Sequence, residues 1–329
     1  MSELAKAIGL SRYTVSKVLN GDPTVKPGVV ERVRAACEKY QYTPNTNAVN
    51  LVRGKTKLIG LIVPEINNPF YAELIDVIEN RAYELGYQLI HQCSYQDSQR
   101  EARILQSFTA LNICGLIIAP CVNDPNLKLL AKTEAGLPVI YIDRYLQSDS
   151  HYIINDNAYS ARQVTEHLIQ QNTKPVYLAS VLSKNNTAIN ARLGGYQKTM
   201  QQYDLEPNVV QSATAETHDS AMLGYQTIKH CLQDGQLIES LFCATDSVAL
   251  GASKAFYEHG VIPGKDVLIA GHDDLPFAEF SHPSLTTIRQ PKQQIGQTAV
   301  EQVIYLTENS SATRIKKKFK GELIVRQSA

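Results

Sequence analysis

The sequence predicts an all-α helix-turn-helix head followed by an α/β body of two doubly wound parallel-sheet lobes. Three observations carry this. Three short amphipathic helical stretches fill residues 1–44. Apolar runs then alternate with amphipathic helical stretches through the rest of the chain. The 329 residues leave a body large enough for two lobes of ordinary domain size once a head of about 55 is set aside.

In the head, "ELAKAIGL" places Leu4, Ala5 and Ile8 at helical spacing before Gly9, which marks a tight turn. "LSRYTVSKVLNGD" follows, with Val15, Val18 and Leu19 on one narrow stripe of a helix. Arg12, Tyr13, Ser16, Lys17 and Asn20 fall on the opposite side. Ser11 stands at the N-cap position and Gly21 at the stop. "KPGVVERVRAACEKYQY" repeats Val30, Val33, Cys37 and Tyr40 at i, i+3, i+7 and i+10. That third helix supplies the apolar surface that two short helices lack. On its own the polar face of the second helix reads as solvated surface, so the flanks and the charge decide.

The charge is asymmetric. Residues 1–57 hold ten Lys or Arg against four acids, while the whole chain balances at 32 of each sign. A basic head on an acidic body suits a nucleic-acid contact confined to one end, where cations meet phosphates and release counterions. Six scattered Cys (37, 93, 114, 121, 231 and 243), with no C-x-x-C pair, read as reduced thiols, not as a disulfide framework or metal site. The absence of a signal peptide and of an apolar run of transmembrane length points to a cytoplasmic, nucleoid-associated protein.

In the body, "LIGLIVP", "YQLIHQCS", "CGLIIAP", "PVIYID", "PVYLASV", "SLFCAT" and "VLIAGHD" read as parallel strands covered by helices on both faces. Two such sheets side by side leave a cleft at the carboxyl ends of their strands. The polar residues at those ends are the ligand candidates: Asp143 after "VIYI", Asp246 after "FCAT", Asp273 after "IAGH", Asp156 after "YIIN", and Arg192 opening "RLGGY". An Asp at a strand end equally caps the next helix, so position alone leaves both roles open.

Catalytic patterns are absent. "RGKTK" holds the G-K-T of a phosphate loop, but Val49 stands where the first Gly is needed and a strand follows where a helix should. There is no H-E-x-x-H, G-x-S-x-G or G-x-G-x-x-G. His272 beside Asp273 and Asp274 could serve acid–base work, yet no nucleophile lies near it in sequence. An enzyme on this body, or a transport binding protein, remain the rival classes.

"ELAKAIGLSRYTVSKVLNGDPTVKPGVVERVRAACEKYQYTPNTNAVNLVRG" resembles the DNA-binding head of the LacI/GalR family of bacterial transcription repressors, with the specific run A-x-x-x-G-x-S-x-x-T-V-S-x-V-L-N. "YTPNTNAVNL" resembles the family's hinge helix. The likeness continues through "TKLIGLIVPEINNPFYAEL", "LPVIYIDR", "CATDSVALGA", "VLIAGHDD", "SLTTIRQP" and "GELIVRQSA", essentially the full chain. The resemblance implies a head at 1–44, a hinge helix and linker at 45–57, and a body at 58–329 similar to periplasmic sugar-binding proteins. Lobe 1 is then expected at about 58–155 and 287–317 and lobe 2 at about 156–286 and 318–329, with crossings near 155, 286 and 318.

The resemblance also implies roles. Ser11, Arg12, Tyr13, Thr14, Ser16, Lys17, Asn20 and Lys26 would meet operator DNA, with Arg12 and Tyr13 reading bases and Lys17 and Lys26 positioning the backbone. Asn45, Ala48 and Leu51 would act from the hinge, paired Leu51 side chains wedging into the minor groove. Arg192 and Asp273 match effector-contacting positions, Phe70 and Tyr71 the aromatic wall of the other lobe, and Asp143 and Thr245 further contacts. Carboxylates, an Arg and aromatic rings suit a polyhydroxylated ligand, a sugar or sugar phosphate, better than a nucleobase. The implied partners are a palindromic operator and a second copy in a homodimer, with tetramers an option; no cofactor and no membrane are implied. Two departures stand out: "MSEL" puts Met1 where the family has an apolar residue after a capping Thr, and Ala48-Val49 replaces its common Ala-Arg.

Overall fold

A computed structural model of the chain describes residues 2–19, 22–42, 56–122, 125–179, 185–210, 219–309 and 313–329. These divide into a compact head, Met1–Thr56, and a body, Lys57–Ala329. Asn20, Asn45, Ala48 and Leu51, named above, lie outside the described residues, as does Gly21.

The head holds α1 (Ser2–Ala7), α2 (Arg12–Leu19) and α3 (Pro27–Lys39) around Leu4, Ala5, Val15, Val18, Val33 and Ala36. Gly9 turns the chain with φ +63°, a conformation that costs a residue lacking Cβ little, and the Leu10 N–H closes the turn on the Ala5 carbonyl at 3.0 Å. Arg32 on α3 donates to the Ile8 carbonyl at 2.8 Å, satisfying an acceptor at the end of α1. The expected stripe on α3 differs at one end. Tyr40 is exposed, because the helix stops there and Tyr40 becomes its C-cap, and Ala36 takes the buried place.

The body's first sheet runs β11-β5-β4-β3-β1-β2, all parallel: β1 (Leu58–Val63), β2 (Gln88–Cys93), β3 (Gly115–Ile118), β4 (Val139–Ile142), β5 (Tyr152–Asn155) and β11 (Lys316–Phe319). Helices α4 (Pro69–Glu84), α5 (Ser98–Ala110), α6 (Leu127–Glu134) and α12 (Lys292–Glu308) accompany it. Apolar clusters form on both faces, one around Leu74, Ile78 and Val303, the other around Phe108 and Tyr141. β3 and β4, which hold the centre, are buried throughout, as a sheet covered on both faces requires.

The second sheet runs β7-β6-β8-β9, again parallel: β6 (Pro175–Leu178), β7 (Asn208–Val210), β8 (Ser240–Cys243) and β9 (Leu268–Ala270). It carries α7 (Asn157–Gln170), α8 (Thr187–Gln202), α9 (Ser220–Gln233), α10 (Asp246–Glu258) and the short α11 (Pro276–Phe280). Its two faces bury Phe256 and Ile228 on one side and Tyr177, Tyr196 and Phe242 on the other. In both sheets the strand order reverses beside the first strand, at β1/β3 and at β6/β8, the place where doubly wound sheets open a crevice.

The chain passes between the lobes three times. It leaves the first lobe after β5, returns after β10 (Thr287–Arg289), and leaves again between β11 and β12 (Glu322–Ile324). The return lies a few residues beyond the expected 286. β10 is stitched to the second lobe through Ala270↔Thr286 and Asp273↔Arg289 and pairs antiparallel with β12. The last crossing likewise follows Phe319, since β11 runs beside β5 through that residue. Gly321 sits where the three passages touch: a Cβ there would meet Ile288 Cγ2 at 2.7 Å and Asn155 Oδ1 at 3.1 Å. Among the described residues, no helix is long and apolar enough to cross a membrane, and all six Cys are free thiols.

Candidate functional site

The head presents α2 by its polar face. Ser11 caps the helix, accepting the Thr14 N–H at 3.1 Å with the two hydroxyls 2.9 Å apart, so both residues named as DNA contacts also hold the helix start. Val15 and Val18 point into the core, which leaves Arg12 and Tyr13 exposed, Tyr13 by 71 %. Lys17 is engaged within the head: its ammonium lies 3.2 Å from Asp22 and from Thr24 Oγ1, and 5.3 Å from the Tyr13 ring centre. Asp22 in turn accepts from the Thr24 hydroxyl and N–H at 2.6 and 2.8 Å. Those Thr24 bonds, with the Lys17 charge beside them, hold the Asp22 carboxyl down at about 2. Lys26 is exposed at the N-cap of α3.

In the body, all six residues named for the effector line one cavity of about 140 Å³ at the carboxyl edges of the two sheets. From the first lobe come Phe70 and Tyr71, in the first turn of α4. Asn68 caps that helix through the Phe70 N–H, and Pro69 starts it, so both rings are aimed by a preorganised helix end. They meet edge to face with centroids 5.1 Å apart. Asp143 follows β4 with φ +61°, which turns its carboxylate back to the Tyr71 hydroxyl at 2.8 Å. Burial pushes the Tyr71 phenol well above its ordinary range, so it acts as a neutral donor.

The second lobe supplies Arg192, Thr245 and Asp273. Arg192 projects from the first half of α8, 3 % exposed, and donates to Asn157 Oδ1 at 2.8 Å and the Ala244 carbonyl at 2.6 Å. Its third nitrogen lies 3.7 Å from Asp273. Asp273 has φ +127°, a region that glycine favours and other residues enter only when held. It is held from three sides: its N–H reaches the Ile288 carbonyl at 2.9 Å, and its carboxylate accepts from Gln290 at 2.6 Å and His272 Nδ1 at 3.0 Å. Burial alone would raise this carboxyl, but the His272 bond and the Arg192 charge outweigh it and keep it below the ordinary value. His272, fully buried, is held neutral with its pKa down at about 4.

Thr245 and two strand-end acids also serve structure. Thr245 caps α10 through the Val248 N–H at 3.3 Å, and Asp156 caps α7 through the Tyr159 N–H at 3.2 Å. Asp246 is not among the cavity's lining residues; it is wholly buried, accepting from the Thr287 hydroxyl and from the Leu275 N–H at 2.8 Å. Burial, with Asp273 close by, pushes its carboxyl up to about 7.

Several cavity residues escaped sequence reasoning. Arg144 is 5 % exposed, donates to the Pro120 carbonyl at 2.8 Å and to Asp143 at 2.9 Å, and leaves one guanidinium nitrogen buried without a partner among the described residues. Its only signal was adjacency to Asp143 in "YIDR". Gln290 sits on the crossover segment, and Asn68 and Asn186 double as helix caps, so their place at the cavity depends on the fold. The cavity is closed over by bonds between lobes. The Thr187 hydroxyl lies 3.1 Å from the Tyr145 N–H and 3.2 Å from the Tyr145 carbonyl, and Asn185 reaches the Val122 carbonyl at 2.9 Å.

Comparison with known proteins agrees with this architecture. Residues 56–323 match the family described as periplasmic binding proteins and sugar binding domain of LacI family, and residues 1–45 match bacterial regulatory proteins, lacI family. The chain is 29 % identical to the HTH-type transcriptional repressor PurR of Pectobacterium carotovorum, over 91 % of this chain and 87 % of that one. It is 27 % identical to the ribose operon repressor of Escherichia coli K12, covering 93 % and 92 %. Among solved structures, the Lac repressor dimer bound to operator and the anti-inducer ONPF superposes with a TM-score of 0.87 at 26 % identity, covering 99 % of this chain and 97 % of that one. The matches over residues 56–323 and 1–45 place the chain in the LacI family of bacterial regulatory proteins.

Proposed function

We propose that the protein is an operator-binding transcriptional repressor that a small neutral sugar releases from DNA. The cavity carries this reading. Glu65, Asp143 and Asp273 face Arg144 and Arg192 in a space of about 140 Å³, with Phe70 and Tyr71 closing one side. Among the described residues each Arg of the lining has a carboxylate partner, which leaves no unpaired cation there for a phosphate, and ordered acceptors suit hydroxyl donors. The volume suits a single sugar ring, and the edge-to-face aromatics cover its apolar side.

Two heads of a dimer would place their α2 helices in successive major grooves, with Arg12 and Tyr13 at base edges and Lys26 at the backbone. A sugar that binds between the lobes shifts their balance, and operator affinity follows through linkage. The residue assignments, the hinge 45–57 and the homodimer belong to this proposal. A thermal-shift screen of the full chain against D-ribose, D-xylose, D-galactose, ribose 5-phosphate and hypoxanthine tests the ligand class. A neutral monosaccharide should raise the melting temperature and weaken binding to operator selected from random DNA, and should be recovered unchanged. Stabilisation by hypoxanthine or by the phosphate alone would overturn the neutral-sugar reading. Arg12→Ala should cost about 1–3 kcal/mol on the selected operator and much less on random DNA. Equal loss on both would end its assignment as a base reader.

A further inference from the structure

Lys292 is the first residue of α12, which packs on α4 so closely that a Cβ at Gly296 would meet Val77 Cγ1 at 2.6 Å. The two helices therefore move as one piece of the first lobe. The Lys292 ammonium forms a short ion pair with Glu73 on α4 and, at 3.3 Å, donates to the main-chain carbonyl of Asp273 on the second lobe. Its side chain is 12 % exposed although it borders an open groove of about 910 Å³ between α4 and the crossover segment. Glu73 thus aims a first-lobe cation across a gap onto a second-lobe acceptor.

That acceptor is the residue with φ +127°, whose carboxylate Gln290, two residues before Lys292, holds at 2.6 Å. We infer that Lys292 is an interlobe clasp: held by Glu73, it grips the Asp273 turn and sets how far the ligand-free cleft opens. Glu73 is a positioning residue that acts through Lys292. Because apparent affinity scales with the fraction of molecules in the competent state, the clasp tunes sugar affinity without touching sugar. That consequence rests on the cleft being the effector site; the ligand-free opening does not.

The test is therefore made without ligand. Fluorescence energy transfer between encoded dye-bearing residues at Tyr83 on α4 and Leu237 in the second lobe, both strongly exposed, reads lobe separation in the full chain. Lys292→Gln should raise the open population about threefold to tenfold. Glu73→Gln should do part of this, add nothing on top of Lys292→Gln, and Lys292→Arg should stay near native. Native distances in Lys292→Gln, or an additive double variant, would overturn the clasp. The sugar screen can fail while this measurement succeeds, and the reverse, so the two readings fall separately.

Discussion

The head and the cleft use charge in opposite ways. On α2 and its flanks Arg12 and Lys26 stand in solvent, and among the described residues the one ion pair there, Lys17 with Asp22, lies at the surface. In the cleft Arg144, Arg192 and Asp273 are nearly fully buried, and each is tied to main-chain or amide partners. An exposed cation acts at a distance, is screened by salt and tolerates loss; a buried one acts only at contact and leaves unmet partners behind. The first arrangement suits a polyanion met along its length, the second a small neutral ligand recognised group by group.

The largest effect that tests this contrast is Arg192→Ala. It would leave the Ala244 carbonyl and Asn157 Oδ1 without the Arg192 donor, and the buried Asp273 carboxylate without the Arg192 charge. The expected loss is about 3–5 kcal/mol of stability, a fall in melting temperature of roughly 10 °C, with any sugar response abolished. Arg12→Ala should leave stability within about 0.5 kcal/mol. Calorimetry on both variants decides it, and an unshifted melt in Arg192→Ala would show that its buried bonds do not hold the lobe.

Much of this was legible because chain order and strand ends are local. Alternating apolar runs announce parallel strands, and parallel strands deliver their terminal residues to one edge. Asp143 and Asp273 could therefore be named together from strand ends although they come from two lobes, whereas Thr245 was named only through the family resemblance. What the sequence hid was long-range. β11 reads as a run of lysines, and its place beside β5 depends on the sheet needing an edge covered by charge. β10 looks like part of the first lobe until its bridges to Ala270 and Asp273 are seen. Arg144 and Gln290 matter through partners 24 and 17 residues away, Pro120 and Asp273, and no spacing rule joins them. Asp246 stands at a strand end, where a cap or a ligand contact is expected, yet its bonds to Thr287 and Leu275 make it a buried strut.

That strut gives a second, intermediate test through pH. Asp246 has its carboxyl raised to about 7, so the folded state holds its proton where the unfolded chain, near 3.9, releases it. Its stabilising contribution is complete below about 4 and is lost as pH rises towards 7. His272, lowered to about 4, behaves oppositely: the unfolded chain takes up a proton below about 6.5 that the folded protein refuses, so stability falls as pH falls. Between pH 4.5 and 6.5 the two slopes, each at most about 1.4 kcal/mol per unit, largely cancel. Asp246→Asn should expose the His272 slope, with the body melting lower as the solution is acidified. His272→Gln should reverse the sign. Parallel melting curves for both variants would mean that the pair does not titrate with folding.

The smallest effect belongs to the head, where the contrast is sharpest. Asp22 accepts from the Thr24 N–H and hydroxyl and pairs with Lys17 on the surface. Asp22→Asn keeps an oxygen for the Thr24 N–H, so the turn between α2 and α3 should survive, and an exposed ion pair contributes little to stability. What changes is the charge that Lys17 shows to DNA. Freed from its partner, Lys17 gains one more phosphate contact per head, and each such contact steepens the dependence of log K on log salt by about 0.9. The variant should bind random DNA more tightly at low salt, with a slope steeper by about one per head, while the melting temperature and any sugar response stay native. Operator and random DNA should gain alike, because a phosphate contact carries no base information. A gain on operator alone would make Lys17 a base reader, and an unchanged slope would mean that Lys17 stays clear of the phosphates even when released.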